Sequence, residues 1–203
     1  CAFYKFNIYY YFLSNNIMEN FTQADDETLH KTHCKGYKYY PLILPAQKRI
    51  IVIGDLHGDF DLTIRALQVA KVIDNNHNWI GGQTIVVQVG DQVDSCRPWG
   101  NECGTEREIV DRDKERMKYK DNLPEDIGIM EFLNDLNDQA NKVGGGVISL
   151  LGNHELMNVN GNMSHVAYED LVKLSRKERK NAFKPGNKYA KLLACSRLPA
   201  III

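Results

Sequence analysis

Residues 50–58 read IIVIGDLHG, and the same grammar returns twice, as IVVQVGDQVD over 85–94 and VISLLGNHE over 147–155. Each stretch opens as a short apolar run rich in β-branched residues and breaks at a glycine, which is the signature of a buried strand ending at a turn. Polar residues come after each glycine: Asp55 and His57, then Asp91 and Asp94, then Asn153 and His154. If the three runs are strands of one open α/β sheet, all six side chains leave from its carboxyl edge, where such sheets carry their sites.

Carboxylate, imidazole and amide oxygen are borderline-to-hard metal ligands. Asp55 and His57 are two positions apart, so on an extended exit they point the same way and can grip one ion from one side. Asp91, from another strand, can reach the same ion, and its second oxygen can bridge to a second ion to which Asn153 belongs. His154 is then free to act as an acid rather than a ligand. Two ions about 4 Å apart make a phosphoester hydrolysis site.

The motifs G-D-x-H-G, G-D-x-x-D and G-N-H-E, in this order, resemble the calcineurin-like metallophosphoesterases, and more closely their protein-phosphatase branch. The run LGNHELMN at 151–158, with FKPG at 183–186, is similar to the Shewanella-like protein phosphatases. The resemblance covers roughly residues 49 to 200, and three motifs each placed after a strand-like run are far more specific than one. It implies an α/β chain with the calcineurin-like metallophosphatase fold, a β-sandwich core flanked by helices, of which this is the N-terminal part. It implies two divalent ions (manganese, iron or zinc) held by Asp55, His57, Asp91 and Asn153. It also implies a catalytic pair in which Asp94 orients His154, and His154 protonates the leaving alkoxide of a phosphomonoester. Glu155 favours the phosphatase or diadenosine-polyphosphate branch over phosphodiesterases and nucleases, and is expected to order its loop.

Two departures from the family pattern stand out. Ser95 occupies the position of an arginine that holds phosphate, and Arg97, two residues on, is the candidate to replace it, with the Asn153 amide as its companion. The two further histidines that the family adds to its second metal have no candidate positions here, so the chain is expected to be truncated at its C-terminus.

At 203 residues with a net charge of −1, the sequence describes one domain with no electrostatic demand for nucleic acid or an acidic membrane. The expected partner is a phosphoprotein or a small phosphoester. Cysteines 1, 34, 96, 103 and 195 are odd in number and lack a regular framework; with no convincing signal peptide, they favour a reducing, cytoplasmic setting. Cys96 and Cys103 are readable either as a disulfide or as two separate thiols.

Along the chain, residues 1–48 read as an irregular N-terminal segment. Its first 17 residues, apolar but interrupted by Lys5 and Asn7, are too short to span a bilayer and read as upstream frame or a fragment edge. His30, His33 and Cys34 lack a fourth ligand at finger spacing and read as surface. The metallophosphoesterase domain is placed at 49–203. A helix is expected from Asp59, its N-cap, to Val72, with Phe60, Ile64 and Leu67 on one face. His77 is expected to be exposed. A charged insertion is expected at about 100–126, then a second amphipathic helix from Pro124 to about Lys142. His165 reads as non-ligating, and the run RKERK at 176–180 as a solvated helix end or a patch for an acidic flank. A non-catalytic phosphate-binding module is the rival of a different class, motivated by Ser95 and the missing histidines.

Overall fold

The structure is a computed structural model that describes residues 23–41, 43–96, 103 and 123–201. The apolar tract at 1–17, Arg97 and the charged run over 104–122 lie outside the described residues.

Among the described residues one four-stranded sheet runs in the order β1-β2-β3-β4, with β1 Ile50–Ile53, β2 Ile85–Gln88, β3 Gly146–Leu150 and β4 Arg197–Leu198. Every pairing is parallel, with Ile53 opposite Gln88 and Gln88 opposite Ser149. This is the α/β architecture expected from the sequence, and the three motif-bearing runs are its first three strands. Of the expected β-sandwich, the described residues contain this one sheet.

The strand side chains alternate between two apolar layers, as a period of two requires. Val86 and Val147 face a cluster with Ile64, Leu67, Ile129, Leu133, Leu136 and Ala140, while Ile85, Val87 and Ile148 face Tyr40, Leu44 and Leu198. The helical members of the first cluster come from α2, Phe60–Val69, and α3, Glu125–Asn141. Burying each such leucine or isoleucine contributes roughly 2 kcal/mol, so this face anchors both crossover helices to the sheet.

Asp59 caps α2 as expected, accepting from the Leu62 N–H at 2.7 Å. The helix stops at Val69 rather than Val72 because Lys71 turns to φ +53°. In α3 Ile129, Leu133, Leu136 and Ala140 are buried with Phe132 partly so, and Pro124 is its N-cap. The insertion boundary must therefore move: Glu125 and Asp126 are the first turn of α3, not the end of a charged loop.

The N-terminal segment needs a larger correction. Gln23–His33 form a helix, α1, whose His30 and following Cys34 are buried. His30 Nε2 lies 3.0 Å from the Cys195 carbonyl, and Cys34 is disulfide-bonded to Cys195 across 161 positions. The anchor of this helix is therefore at the far end of the sequence and leaves no local apolar pattern. After β3 the chain forms short helices, α4 Asn153–Val159, α5 Tyr168–Lys173, α6 Arg176–Phe183 and α7 Lys188–Ser196. Phe183 and Leu193 from this group pack with Val93, Ile127 and Met130 beneath the second motif. No described helix is long and apolar enough to cross a membrane.

Candidate active site

Because the strands are parallel and in register, Gly54, Gly90 and Gly152 leave the sheet along one edge. The second and third loops then run in backbone contact: a Cβ on Gly90 would lie 2.5 Å from the Gly152 nitrogen, and one on Gly152 would strike the Asp91 carboxylate. Only glycine permits that approach at either position.

Backbone bonds tie the first two motifs together. The Asp91 carbonyl accepts from the N–H groups of Leu56 at 3.0 Å and His57 at 2.9 Å, and the Gln92 carbonyl accepts from Gly58 at 2.9 Å. Glu155 ties the second to the third. Its buried carboxylate accepts from four backbone N–H groups: Gly152 at 2.7 Å, Asp91 at 2.9 Å, Gln92 at 2.7 Å and Val93 at 3.2 Å. Burial pushes this carboxyl up, and the four donors pull it back. The loop-ordering role expected of Glu155 has this concrete form. His57, Asp91 and Asp94 all sit at positive φ, 45°, 51° and 69°. Such backbone costs of order 1–3 kcal/mol per residue and persists where the surroundings over-determine it, commonly at functional sites.

The result is a compact donor set. His57, Asp91 and His154 each offer a ligand atom, all within 4.8 Å of one another. Asp55 is exposed beside them, its Oδ2 at 3.7 Å from His57 Nε2, without joining that trio. Asn153 opens α4 at the same edge and is exposed. His57 Nδ1 lies 3.4 Å from the Val93 carbonyl, the kind of outer contact that would direct Nε2 toward a metal. Imidazole nitrogen with carboxylate oxygen suits a divalent transition metal, so the residues present fit one.

His154 is held differently. Its Nδ1 is 2.9 Å from Asp94 Oδ2, and its backbone N–H donates to Asp91 Oδ1 at 3.0 Å. Asp94 is fully buried. The His154 ring sits edge-on to His57 with centroids 4.9 Å apart, and the ring of the exposed His165 lies 5.2 Å from it.

The chain beneath this pair holds residues that the sequence did not reveal. Arg179, read as part of a solvated run, is wholly buried. It donates to Asp126 Oδ1 at 3.1 Å and Oδ2 at 2.6 Å, and to Asn158 Oδ1 at 2.8 Å. Desolvation works against its charge, but Asp126 and then Asp94 outweigh it and its pKa stands raised. Ser95 turns its hydroxyl to Asp170 Oδ2 at 2.9 Å. Burial, then the neighbouring Asp126, push Asp170 up to about 7. Cys96 is bridged to Cys103, so the pair left open by sequence is joined. Beyond the α6 capping box of Ser175 and Glu178, nothing in the sequence flags this neighbourhood.

Residues 48–199 match the family described as calcineurin-like phosphoesterase. The chain belongs to the calcineurin-like phosphoesterases. It is 34% identical over 124 residues to Shewanella-like protein phosphatase 2 of Arabidopsis thaliana, a span of 61% of this chain and 25% of that one. It is 30% identical over 158 residues to Shewanella-like protein phosphatase 1 of Plasmodium berghei, covering 76% of this chain and 36% of that one. The crystal structure of a cold-active protein-tyrosine phosphatase from a psychrophilic Shewanella species superposes with a TM-score of 0.55 at 23% identity, over 76% of this chain and 40% of that one. That likeness supports the fold. As a calcineurin-like phosphoesterase related to the Shewanella-like phosphatases, the chain belongs to a group of hydrolases that use divalent metals, and its His/Asp trio can hold one.

Proposed function

We propose that the protein is a metal-dependent phosphomonoesterase, acting on phosphoproteins, whose general acid is His154. The observation that carries this is the buried Asp94 at 2.9 Å from His154 Nδ1, beside the His57 and Asp91 donors. Asp55, His57, Asp91 and Asn153 would hold two divalent ions, manganese, iron or zinc by donor type. Bound there, the ions supply Lewis acidity and lower the pKa of a water to near neutrality. Asp94 fixes the His154 tautomer so that Nδ1 carries the proton shared with the carboxylate and Nε2 faces the reaction. Nε2–H then gives its proton to the departing alkoxide oxygen. The Asn153 amide steadies phosphate oxygens, and Arg97 is the guanidinium assigned to the same task. The names of the relatives, protein phosphatases and a protein-tyrosine phosphatase, support a phosphorylated side chain as substrate.

One observation favours a non-catalytic phosphate-binding module instead: Ser95 stands where the family arginine belongs, and its hydroxyl is engaged with Asp170. The two readings separate on one experiment. The full-length gene product, loaded with manganese, is assayed with p-nitrophenyl phosphate and with phosphotyrosine and phosphoserine peptides. Turnover that falls roughly 100-fold or more in His154→Ala, the span of a lost general acid, supports the enzyme. Two bound ions without turnover of any of the three overturn it.

A further inference from the structure

The Asp94 carboxylate has two oxygens with different tasks. Oδ2 faces His154. Oδ1 accepts from Asn158 Nδ2 at 2.8 Å and from Arg179 Nη2 at 3.5 Å. The same Asn158 amide donates to the His154 carbonyl at 3.0 Å, and its oxygen accepts from Arg179 Nε at 2.8 Å. Asp94 is also gripped by its backbone: its N–H donates to Asp126 Oδ2 at 3.1 Å, and Asp126 is the carboxylate that takes the Arg179 fork. Arg179 therefore meets Asp94 by three routes: directly at Oδ1, through Asp126 at the main chain, and through Asn158 at Oδ1 again. That second route matters because Asp94 stands at φ +69°, from which an unheld residue would relax.

We propose that Arg179 is a positioning residue for the Asp94–His154 pair, a buried guanidinium that fixes the carboxylate so that Oδ2 stays aimed at the imidazole. Its side chain is 0% exposed, so it cannot touch substrate. Planar geometry is what the role requires: the fork fits Asp126 at two oxygens while Nε is spent on Asn158, a division that a lysine ammonium cannot reproduce. Such a residue acts on the step in which His154 delivers a proton, and that step matters most when the departing oxygen is strongly basic.

The inference rests on the phosphatase reading above. Removing Arg179 alone strands buried carboxylates, so the first variant is the charge-balanced Arg179→Met/Asp126→Asn, with Arg179→Lys as the second and thermal melting as the check on folding. In the full-length gene product with manganese, phenyl phosphate has the more basic leaving group and p-nitrophenyl phosphate the less basic one. The balanced variant is expected to lose roughly tenfold or more in kcat on phenyl phosphate, the scale of weakened general acid catalysis. Its KM should be little changed and its loss on p-nitrophenyl phosphate several-fold smaller, with Arg179→Lys intermediate. Equal proportional losses on both substrates would overturn the positioning role. A second readout does not need activity: the downfield proton resonance expected of the His154 Nδ1–H in the unsubstituted protein should vanish or shift in the balanced variant. If the unsubstituted protein turns over neither ester, the phosphatase reading fails by itself. Whatever the assay shows, an unmoved Nδ1–H resonance overturns the role of Arg179.

Discussion

Asp170 shows how one residue's surroundings set its charge. It accepts from Ser95 Oγ at 2.9 Å and from the Glu125 N–H at 3.1 Å, and lies close to Asp126. Burial and Asp126 raise it to about 7, with Arg179, Ser95 and Lys173 pulling the other way. An unfolded aspartate titrates near 3.9, so the folded protein holds this proton more tightly. The sign comes from linkage: the stabilisation is complete below about pH 4 and is lost as pH rises through about 7. Asp170→Asn should therefore flatten the fall in urea midpoint between pH 5 and pH 8 relative to the unsubstituted protein. Equal slopes in the two proteins would rule out a raised Asp170. Ser95 in turn requires glycine at position 58, where a Cβ would come within 2.6 Å of Ser95 Cβ.

At the scale of the elements, the sheet was written plainly in the sequence and the helices behind the site were not. Four-residue runs such as IIVI and IVVQ read as strands, IVVQ buried along its length and IIVI at the sheet edge with Val52 exposed, and each is closed by a glycine that marks the register of the next loop. Asp55, His57, Asp91, Asp94, Asn153 and His154 were legible directly from those endings. By contrast, RKERK in α6 has the composition of a solvated face, and what buries Arg179 is two carboxylates 53 and 85 positions away. Helix α1 was equally hidden, since its anchors are the Cys195 disulfide sulfur and carbonyl. Charge pattern reports local preference; burial of a charge depends on partners that only the tertiary fold supplies. The loop contacts give a test at this scale. Gly152→Ala forces a methyl into the Asp91 carboxylate and backbone. It is expected to cost about 1–3 kcal/mol in urea unfolding, as overpacking does, and to weaken manganese binding by roughly tenfold, as displaced ligand supports do. Calorimetric titration giving an unchanged affinity would show that Asp91 is not a ligand.

For the whole molecule, the bond between Cys34 and Cys195 ties together positions 161 apart in the sequence. It fastens α1 to the end of α7, their Cα atoms 5.2 Å apart, next to β4 at the edge of the sheet. A crosslink closing so long a loop stabilises by up to about 5 kcal/mol on the chain-entropy scale. The double substitution Cys34→Ser/Cys195→Ser should lower the urea midpoint accordingly. Adding reductant should lower the midpoint of the unsubstituted protein much more than that of the double variant; an equal response would place the stabilisation elsewhere.

That bond also changes what the polypeptide is topologically. Between positions 34 and 195 the backbone is not a line but a closed ring that contains all three motifs, α3 and the lysine- and arginine-rich stretch at 106–120. A protease that cuts once inside the ring opens it without separating anything. The two pieces would migrate together on a denaturing gel until a thiol is added.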